Sequence, residues 1–488
     1  MKFYDLVLKT PLEKDEVLSR NTGCNVYLKR EDLQPVRSFK IRGALYKMLK
    51  LSRAELKRGV IAASAGNHAQ GVALAARELG CKATIVMPTT TPDVKVQAVK
   101  GYGAEVVLYG ANYSEAATYC EQLTAESGKT FVHPFDDPDV ITGQGTVADE
   151  ILEQLPGLTH IFVPVGGGGL LAGTLQTIQK ANPHIKVVGI EPSDSAAMQL
   201  SLESGVRVVL SHVGVFADGA AVAEVGERTF TAGASADEFI CVDDDEICVA
   251  LAEFVQTHRA TLEPAGALGL AGVRAYAQLH GFSKTDKVAV VCSGANIDNA
   301  RLAYALRRAE LATNHTVLLR IELLEEPGAL RTLCQRVVNG HNITSFTYRK
   351  DSNSPDAHIV IGLHTRTAAD RQLIARQLKK YRYSYIDLGT HNVIKEHGVY
   401  PHGDVPNLAS ELFYAIEFAD RPGALLELLS NLGKSWNISL FHYGGSTGDT
   451  GRVLIGFEGA TRVLLEPVLR KHTRSYAPAN DDVLIMYS

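Results

Sequence analysis

No apolar run in the 488-residue chain is long enough to span a bilayer, which excludes a transmembrane helix. An excess of one charge is missing too. The net charge of -5 at pH 7 points to neither nucleic acid nor a membrane surface as partner. Cysteines are few and scattered singly: Cys24, Cys81, Cys120, Cys241, Cys248, Cys292 and Cys334, with no Cys-x-x-Cys pair. An odd, unclustered set reads as reduced thiols in a cytosol-like, cytoplasmic compartment. The histidines show no His-Glu-x-x-His or zinc-type spacing, so no metal is expected, and a lone one such as His133 reads as a satisfied core or loop residue. Met1-Lys2-Phe3-Tyr4-Asp5 lacks the apolar core of a signal peptide and the Arg/Ser bias of a transit peptide, leaving open a transit peptide removed from a longer precursor.

What is present reads as an ordinary globular enzyme of about three domains. Between residues 26 and 310, short β-type runs alternate with helical ones. Strands are predicted at 60–63, 84–87, 105–108, 161–165, 187–190 and 288–291, with periodic stretches at 70–79, 113–123 and 170–178. Near-continuous apolar strands separated by helices imply a largely parallel sheet covered on both faces. Ligands of such sheets bind outside the carboxyl ends of the strands, so signals after strands carry the chemistry.

Ser38-Phe39-Lys40-Ile41-Arg42-Gly43-Ala44 places a lysine at the opening of an amphipathic segment. Ser38 is the expected N-cap. Lys40 would then lie near the positive end of the helix dipole and beside Arg37 and Arg42, a setting that lowers an ammonium pKa. A neutral amine attacks carbonyls; the other reading is a solvated surface lysine. Ser64-Ala65-Gly66-Asn67-His68 follows the strand at 60–63. It is either an anion loop at a helix start or a turn with Ser and Asn as caps. Gly166-Gly167-Gly168-Gly169-Leu170 follows the strand at 161–165 and suits a phosphate cup. Its rival is a dinucleotide loop with Glu191 on a ribose, although Leu171 takes the last glycine position of Gly-x-Gly-x-x-Gly and Thr174 stands where a Walker lysine belongs. Cys292-Ser293-Gly294-Ala295-Asn296 puts a neutral hydroxyl after the strand at 288–291, or simply a cap in a turn.

These four motifs, in this order, resemble the tryptophan-synthase-β (fold type II) family of pyridoxal-phosphate enzymes, and within it the biosynthetic threonine deaminase group. The resemblance implies an α/β fold with two three-layer parallel-sheet subdomains over residues 1–312, and pyridoxal 5'-phosphate as cofactor. By that match Lys40 is the Schiff-base lysine and Phe39 packs beside the cofactor. Asn67 bonds the ring hydroxyl, Gly166, Gly167, Gly168, Gly169 and Leu170 cup the phosphate, and Ser293 faces the ring nitrogen. Ser64, Ala65, Gly66, Asn67 and His68 hold the substrate carboxylate. The implied activity is β-elimination on L-threonine, giving 2-ketobutyrate and ammonia, and on L-serine. Glu263, in Glu263-Pro264-Ala265-Gly266-Ala267, reads as a helix-dipole partner or as a residue backing the site. Asp218 would close on the cofactor or ligate a cation. A serine racemase or serine dehydratase, and a nicotinamide-dependent oxidoreductase, are the rival functions.

Beyond Thr313-Asn314-His315 the chain repeats itself. Glu326-Pro327-Gly328-Ala329-Leu330 recurs as Arg421-Pro422-Gly423-Ala424-Leu425, and Asn342-Ile343-Thr344-Ser345-Phe346-Thr347-Tyr348 as Asn437-Ile438-Ser439-Leu440-Phe441-His442-Tyr443. Proline and glycine fit a helix start, and 317–323 and 414–418 alternate as half-buried strands. The copies, 316–400 and 411–488, resemble α+β ACT domains, amino-acid-binding regulatory modules. That implies isoleucine as inhibitor and valine as antagonist or activator, with Gly328, Asn342, Gly423 and Asn437 as candidate contacts and a homotetramer as assembly. Repeats that only mediate assembly are the other reading.

Overall fold

Valine, isoleucine and alanine fill the central strands of the N-terminal part, and water reaches almost none of them. Val60, Ile61, Ala62 and Ala63 are all buried, as are Val288 to Cys292. In the computed structural model the chain divides into two units, Met1–Leu302 and Ala303–Ser488. The structure describes residues 1–313, 315–324, 332–338, 341, 343–349, 356–365, 367–390, 411–419, 436–446 and 450–480.

The first unit holds ten strands: β1 (Leu12–Lys14), β2 (Asn25–Arg30), β3 (Val60–Ala63), β4 (Ala83–Met87), β5 (Glu105–Leu108), β6 (Thr130–Phe131), β7 (His160–Pro164), β8 (Lys186–Pro192), β9 (Glu238–Val242) and β10 (Lys287–Cys292). They form a four-stranded sheet, β5-β4-β3-β6, and a six-stranded one, β1-β2-β10-β7-β8-β9. All neighbours run parallel except β1, which pairs antiparallel with β2 at the sheet edge. Buried strand faces of both sheets are covered by helices, in separate apolar clusters that include one on each face of the four-stranded sheet.

The register of the larger sheet assembles the site. Val288 pairs with Val26 on one side and His160 on the other, so β2, β10 and β7 end side by side. The segment leading to Lys40, the residues at Ser293 and the four glycines therefore leave the sheet at one end. The Lys40–Leu49 helix is then held by close backbone approaches. A Cβ on Gly71 would stand 3.2 Å from the carbonyl oxygen of Lys40, and one on Gly143 would stand 2.7 Å from that of Arg42. Only glycine lets the neighbouring helices, Asn67–Glu78 and Pro138–Gln154, come so near.

The second unit holds β11 (Thr316–Leu324), β12 (Ile343–Arg349), β13 (Asp356–His364), β14 (Tyr385–Asp387), β15 (Glu411–Ala419), β16 (Asn437–Ser446), β17 (Thr450–Glu458) and β18 (Ser475–Pro478). Two antiparallel sheets result, β12-β13-β11-β14 and β16-β17-β15-β18, with the same strand order and one core each. Each copy adds a helix before its last strand, Ala368–Lys380 and Arg462–His472. The correspondence extends to an irregularity. Ile343 and Ser345 oppose Leu363 and Gly362, which leaves Thr344 bulged out; Ile438 and Leu440 oppose Phe457 and Gly456, which leaves Ser439 bulged out. The Pro-Gly turns, with Gly328 and Gly423, and Asn342 lie outside the described residues. Asn437 opens β16 opposite Glu458.

Candidate active site

The helix predicted after Ser38 begins at Lys40, one residue later than a Ser38 cap would have it. Tertiary pairing explains the shift. Ser38 is drawn into an antiparallel bridge with Gly294. The Phe39 N–H donates to the Ser293 carbonyl at 3.1 Å, and the Ala295 N–H to the Arg37 carbonyl at 2.9 Å. Phe39 takes the cap position without capping, while the Ser38 hydroxyl accepts from the Lys40 N–H at 3.3 Å. This pairing sets Lys40 next to Ser293.

Lys40 Nζ donates to the Pro134 carbonyl at 2.9 Å and lies 5.3 Å from the centre of the Phe39 ring. Its pKa is lowered to about 8, because burial strips the ammonium of water; the Glu263 carboxylate opposes the shift. The direction matches the expectation from the sequence but the cause does not. Arg42 is wholly buried and spent on carboxylates, with Nε 2.7 Å from Glu31 and Nη1 2.6 Å from Glu150. Lys29 joins the same cluster, 2.6 Å from Glu150.

The glycine loop runs from the end of β7 into the Gly169–Ala181 helix. Gly168 has φ +85, a left-handed conformation that suits glycine. A Cβ on Gly167 would meet the Phe135 ring at 2.3 Å, and one on Gly166 the Ala220 Cα at 2.8 Å. The loop thus turns bare backbone and a helix N-terminus toward the site, and free N–H groups there attract an anion. The dinucleotide alternative falls here. Glu191, which would have held a ribose, is fully buried, and its two oxygens accept from the N–H groups of Met198 (2.9 Å) and Gln199 (2.8 Å).

Ser64 to His68 bridges β3 and the Asn67–Glu78 helix. The Ser64 hydroxyl accepts from the Gly66 N–H at 3.2 Å. The His68 ring turns inward, with Nε2 2.8 Å from the Val132 carbonyl oxygen, and burial lowers its pKa to about 3. The ring sits in the core with its Nδ1 unpartnered among the described residues. Asn67 is held on both sides: Nδ2 donates to Glu263 at 2.6 Å, and Oδ1 accepts from Asn296 at 2.6 Å. Glu263 stands at the N-cap of the Pro264–Leu279 helix but makes no side-chain cap bond. Its carboxylate accepts from Asn67, as a residue backing the site would, while its place at the helix start is the one a dipole partner takes. Burial, reinforced by Asp218, raises its pKa to about 7. The Ser293 hydroxyl is buried and donates to the Ala265 carbonyl at 3.2 Å. Asp218 holds no room for a cation: Lys95 (2.8 Å) and Arg301 (2.9 Å) share its Oδ2, and their charges pull its pKa well below the carboxylate range. Among the described residues no cluster of His, Cys, Asp or Glu would hold a metal.

The sequence reading missed the segment after β6. Pro134 receives the Lys40 amine, Phe135 packs on the glycine loop, and the His133 Nδ1 accepts from the N–H groups of Phe135 (3.1 Å) and Asp136 (2.7 Å). Its position after a strand was the one available signal. The assembled residues fit a phosphate-bearing aldehyde: an amine that deprotonates near neutral pH, a cradle any Cβ would fill, and a neutral hydroxyl at Ser293.

Two family models match the chain. That of the pyridoxal-phosphate dependent enzymes covers residues 4–294, and that of the C-terminal regulatory domain of threonine dehydratase covers 307–397 and 405–475. Among curated proteins, the chain is 43% identical over 460 residues to the biosynthetic, chloroplastic threonine dehydratase of Arabidopsis thaliana, spanning 94% of this chain and 77% of the relative. It is 44% identical over 458 residues to the biosynthetic L-threonine dehydratase of Escherichia coli K12, spanning 93% and 88%. Among solved structures, the processed threonine deaminase isoform 2 of Solanum lycopersicum superimposes with TM-score 0.61 at 47% identity, over 63% of this chain and 90% of that one. Maize serine racemase gives TM-score 0.60 at 31% identity, over 64% and 96%.

Proposed function

The chain belongs to the pyridoxal-phosphate-dependent enzymes and, among them, to the biosynthetic threonine dehydratases; on that premise we propose that it converts L-threonine to 2-ketobutyrate and ammonia, and L-serine to pyruvate and ammonia. The observation that carries this reading is the Lys40 amine, held at 2.9 Å by the Pro134 carbonyl and zipped beside Ser293 through the Phe39 N–H. Bound pyridoxal phosphate supplies an aldehyde that condenses with amines and a conjugated ring that withdraws electrons from the substrate α-carbon. Lys40 holds the cofactor and then takes the α-proton, a task suited to a pKa near 8. Gly166 to Leu170 hold the phosphate through backbone N–H groups. Asn67 bonds the ring oxygen, and Ser64 to Asn67 with the His68 N–H receive the substrate carboxylate. Ser293 would offer the ring nitrogen a neutral partner instead of a carboxylate that would keep it protonated, so the bound ring would be a weaker electron sink and expulsion of the β-substituent would be favoured over transamination. One methyl separates threonine from serine, worth about 1–3 kcal/mol of discrimination.

The regulatory-domain match supports a further part of the reading. Residues 1–312 form the catalytic domain, and 316–400 and 411–488 form two regulatory subdomains that bind isoleucine as inhibitor and valine as its antagonist, within a homotetramer. A serine racemase lacks support from that C-terminal match. A nicotinamide enzyme lacks a free Glu191. Among the described residues no helix is long and apolar enough to cross a membrane.

Assay of 2-keto acid formation from threonine and serine, with and without isoleucine, tests the whole reading. Yellow protein that is reduced by borohydride with label on Lys40, and that forms 2-ketobutyrate, supports it. Colourless protein that binds NADH and makes no keto acid overturns it.

A further inference from the structure

Asn67 is an amide, and an amide can face a ligand with either its oxygen or its nitrogen. The surroundings leave one choice. Asn296 Nδ2 donates to the Val36 carbonyl at 2.9 Å, and a backbone carbonyl only accepts. The same Nδ2 lies 2.6 Å from Asn67, so the Asn67 atom facing it is Oδ1. The other end of the Asn67 amide lies 2.6 Å from Glu263, whose carboxylate accepts from Nδ2. Gly294 makes the arrangement possible. A Cβ there would stand 2.3 Å from Glu263 Oε1 and 3.2 Å from Asn67 Nδ2. The Asn67 nitrogen has two hydrogens, one committed to Glu263 and one left for a ligand.

We propose that Asn296 is a positioning residue that fixes the Asn67 amide with its N–H toward the cofactor, so that the site selects the ionised form of the ring oxygen. A hydrogen-bond donor stabilises an ionised oxygen, whereas an amide oxygen in its place would favour the protonated hydroxyl. The inference rests on the proposed placement of Asn67 against the cofactor ring. Asn296 touches no ligand itself and acts through Asn67, with Val36 and Glu263 as the fixed points.

The test compares the holoenzymes and the cofactor-free proteins of wild type, Asn67→Ala, Asn296→Asp and the double variant. The carboxylate introduced by Asn296→Asp offers only acceptors to Asn67, so the Asn67 oxygen loses its donor and the orientation of the amide is no longer fixed. The first readout is the dissociation constant of pyridoxal phosphate, followed by absorbance. The second is the pH at which the absorbance of the bound cofactor changes. Asn67→Ala should weaken cofactor binding by about tenfold. If it does not, the placement of Asn67 is wrong. Asn296→Asp should weaken binding similarly and move the spectral transition to higher pH, while adding no further loss in the Asn67→Ala background. An equal further loss in that background, or an unmoved spectral transition in a protein that melts like wild type, overturns the role of Asn296. Asn296→Ser, which removes the donating amide without introducing a carboxylate, covers the case in which the aspartate variant folds poorly. It should lower cofactor affinity in the wild-type background and leave it unchanged in the Asn67→Ala one; loss in both would again overturn the proposal.

Discussion

The carbonyl oxygen of Pro134 accepts a 2.9 Å hydrogen bond from Nζ of Lys40, two residues separated by 94 positions in the chain. A backbone carbonyl cannot neutralise an ammonium as a carboxylate would, so burial governs the lysine and its pKa falls to about 8. Cofactor uptake by the cofactor-free protein should therefore accelerate as pH rises, with a midpoint near 8 and a plateau above it. Stopped-flow absorbance at a series of pH values measures this. A midpoint near the ordinary lysine value of about 10.4 would contradict the burial argument.

Gly167 faces the Phe135 ring so closely that a methyl at that position would lie 2.3 Å from it. Gly167→Ala should displace the ring or the loop, at a cost of about 1–3 kcal/mol, and should weaken cofactor binding. Adding Phe135→Ala should recover part of the affinity. Titration of the cofactor into both variants decides it.

The Lys29, Arg42, Glu31 and Glu150 cluster lies in the interior and joins β2 to two helices. Removing Glu150 takes the contacting carboxylate from Lys29 and leaves Arg42 with Glu31 alone. Glu150→Ala should destabilise the catalytic unit by about 3–5 kcal/mol, seen as a lower unfolding midpoint in urea. Glu13→Ala, which removes a half-exposed partner of Arg30, should cost about 1 kcal/mol or less.

Glu191 has a pKa raised to about 7 by burial, despite two N–H donors. In the unfolded chain it titrates near its ordinary value of 4.5. The folded state therefore binds more protons between these values, and the stability contributed by Glu191 is full below about pH 4.5 and is lost as pH rises through about 7. Glu263 titrates in the same range, so the slope of the wild type contains both groups. Glu191→Gln should flatten, without abolishing, the fall in melting temperature between about pH 5 and 8.

Local patterns carried much of this architecture. Val60–Ala63 and Glu105–Leu108 are strands with the predicted bounds, and the other four runs differ by one or two residues at an end. β2 was missed because Asn25, Lys29 and Arg30 disguise a buried strand; Asp32 pairs with Arg30 from two residues away, but the partner that makes buried Lys29 tolerable, Glu150, is distant in sequence. Ser38 looked like a cap because capping is read locally, whereas its bridge to Gly294 is not. The links from Lys40 to Pro134 and from Asn67 to Glu263 and Asn296 span 94, 196 and 229 positions, beyond the reach of any periodicity. Asn296 stood in a quoted motif and Glu263 was named beside the site, but the pairings that bring both to Asn67 became legible only once the chain folded.

The bulged Thr344 and Ser439 occupy matching places in the two regulatory sheets. Each adds one residue to a ladder whose faces alternate every second position, so the part of β12 or β16 beyond it is set one step out of phase with the part before. Deleting either residue would restore an even ladder while leaving the pairings on both sides of it in place. The two copies thus agree in the place of an irregularity as well as in the order of their strands.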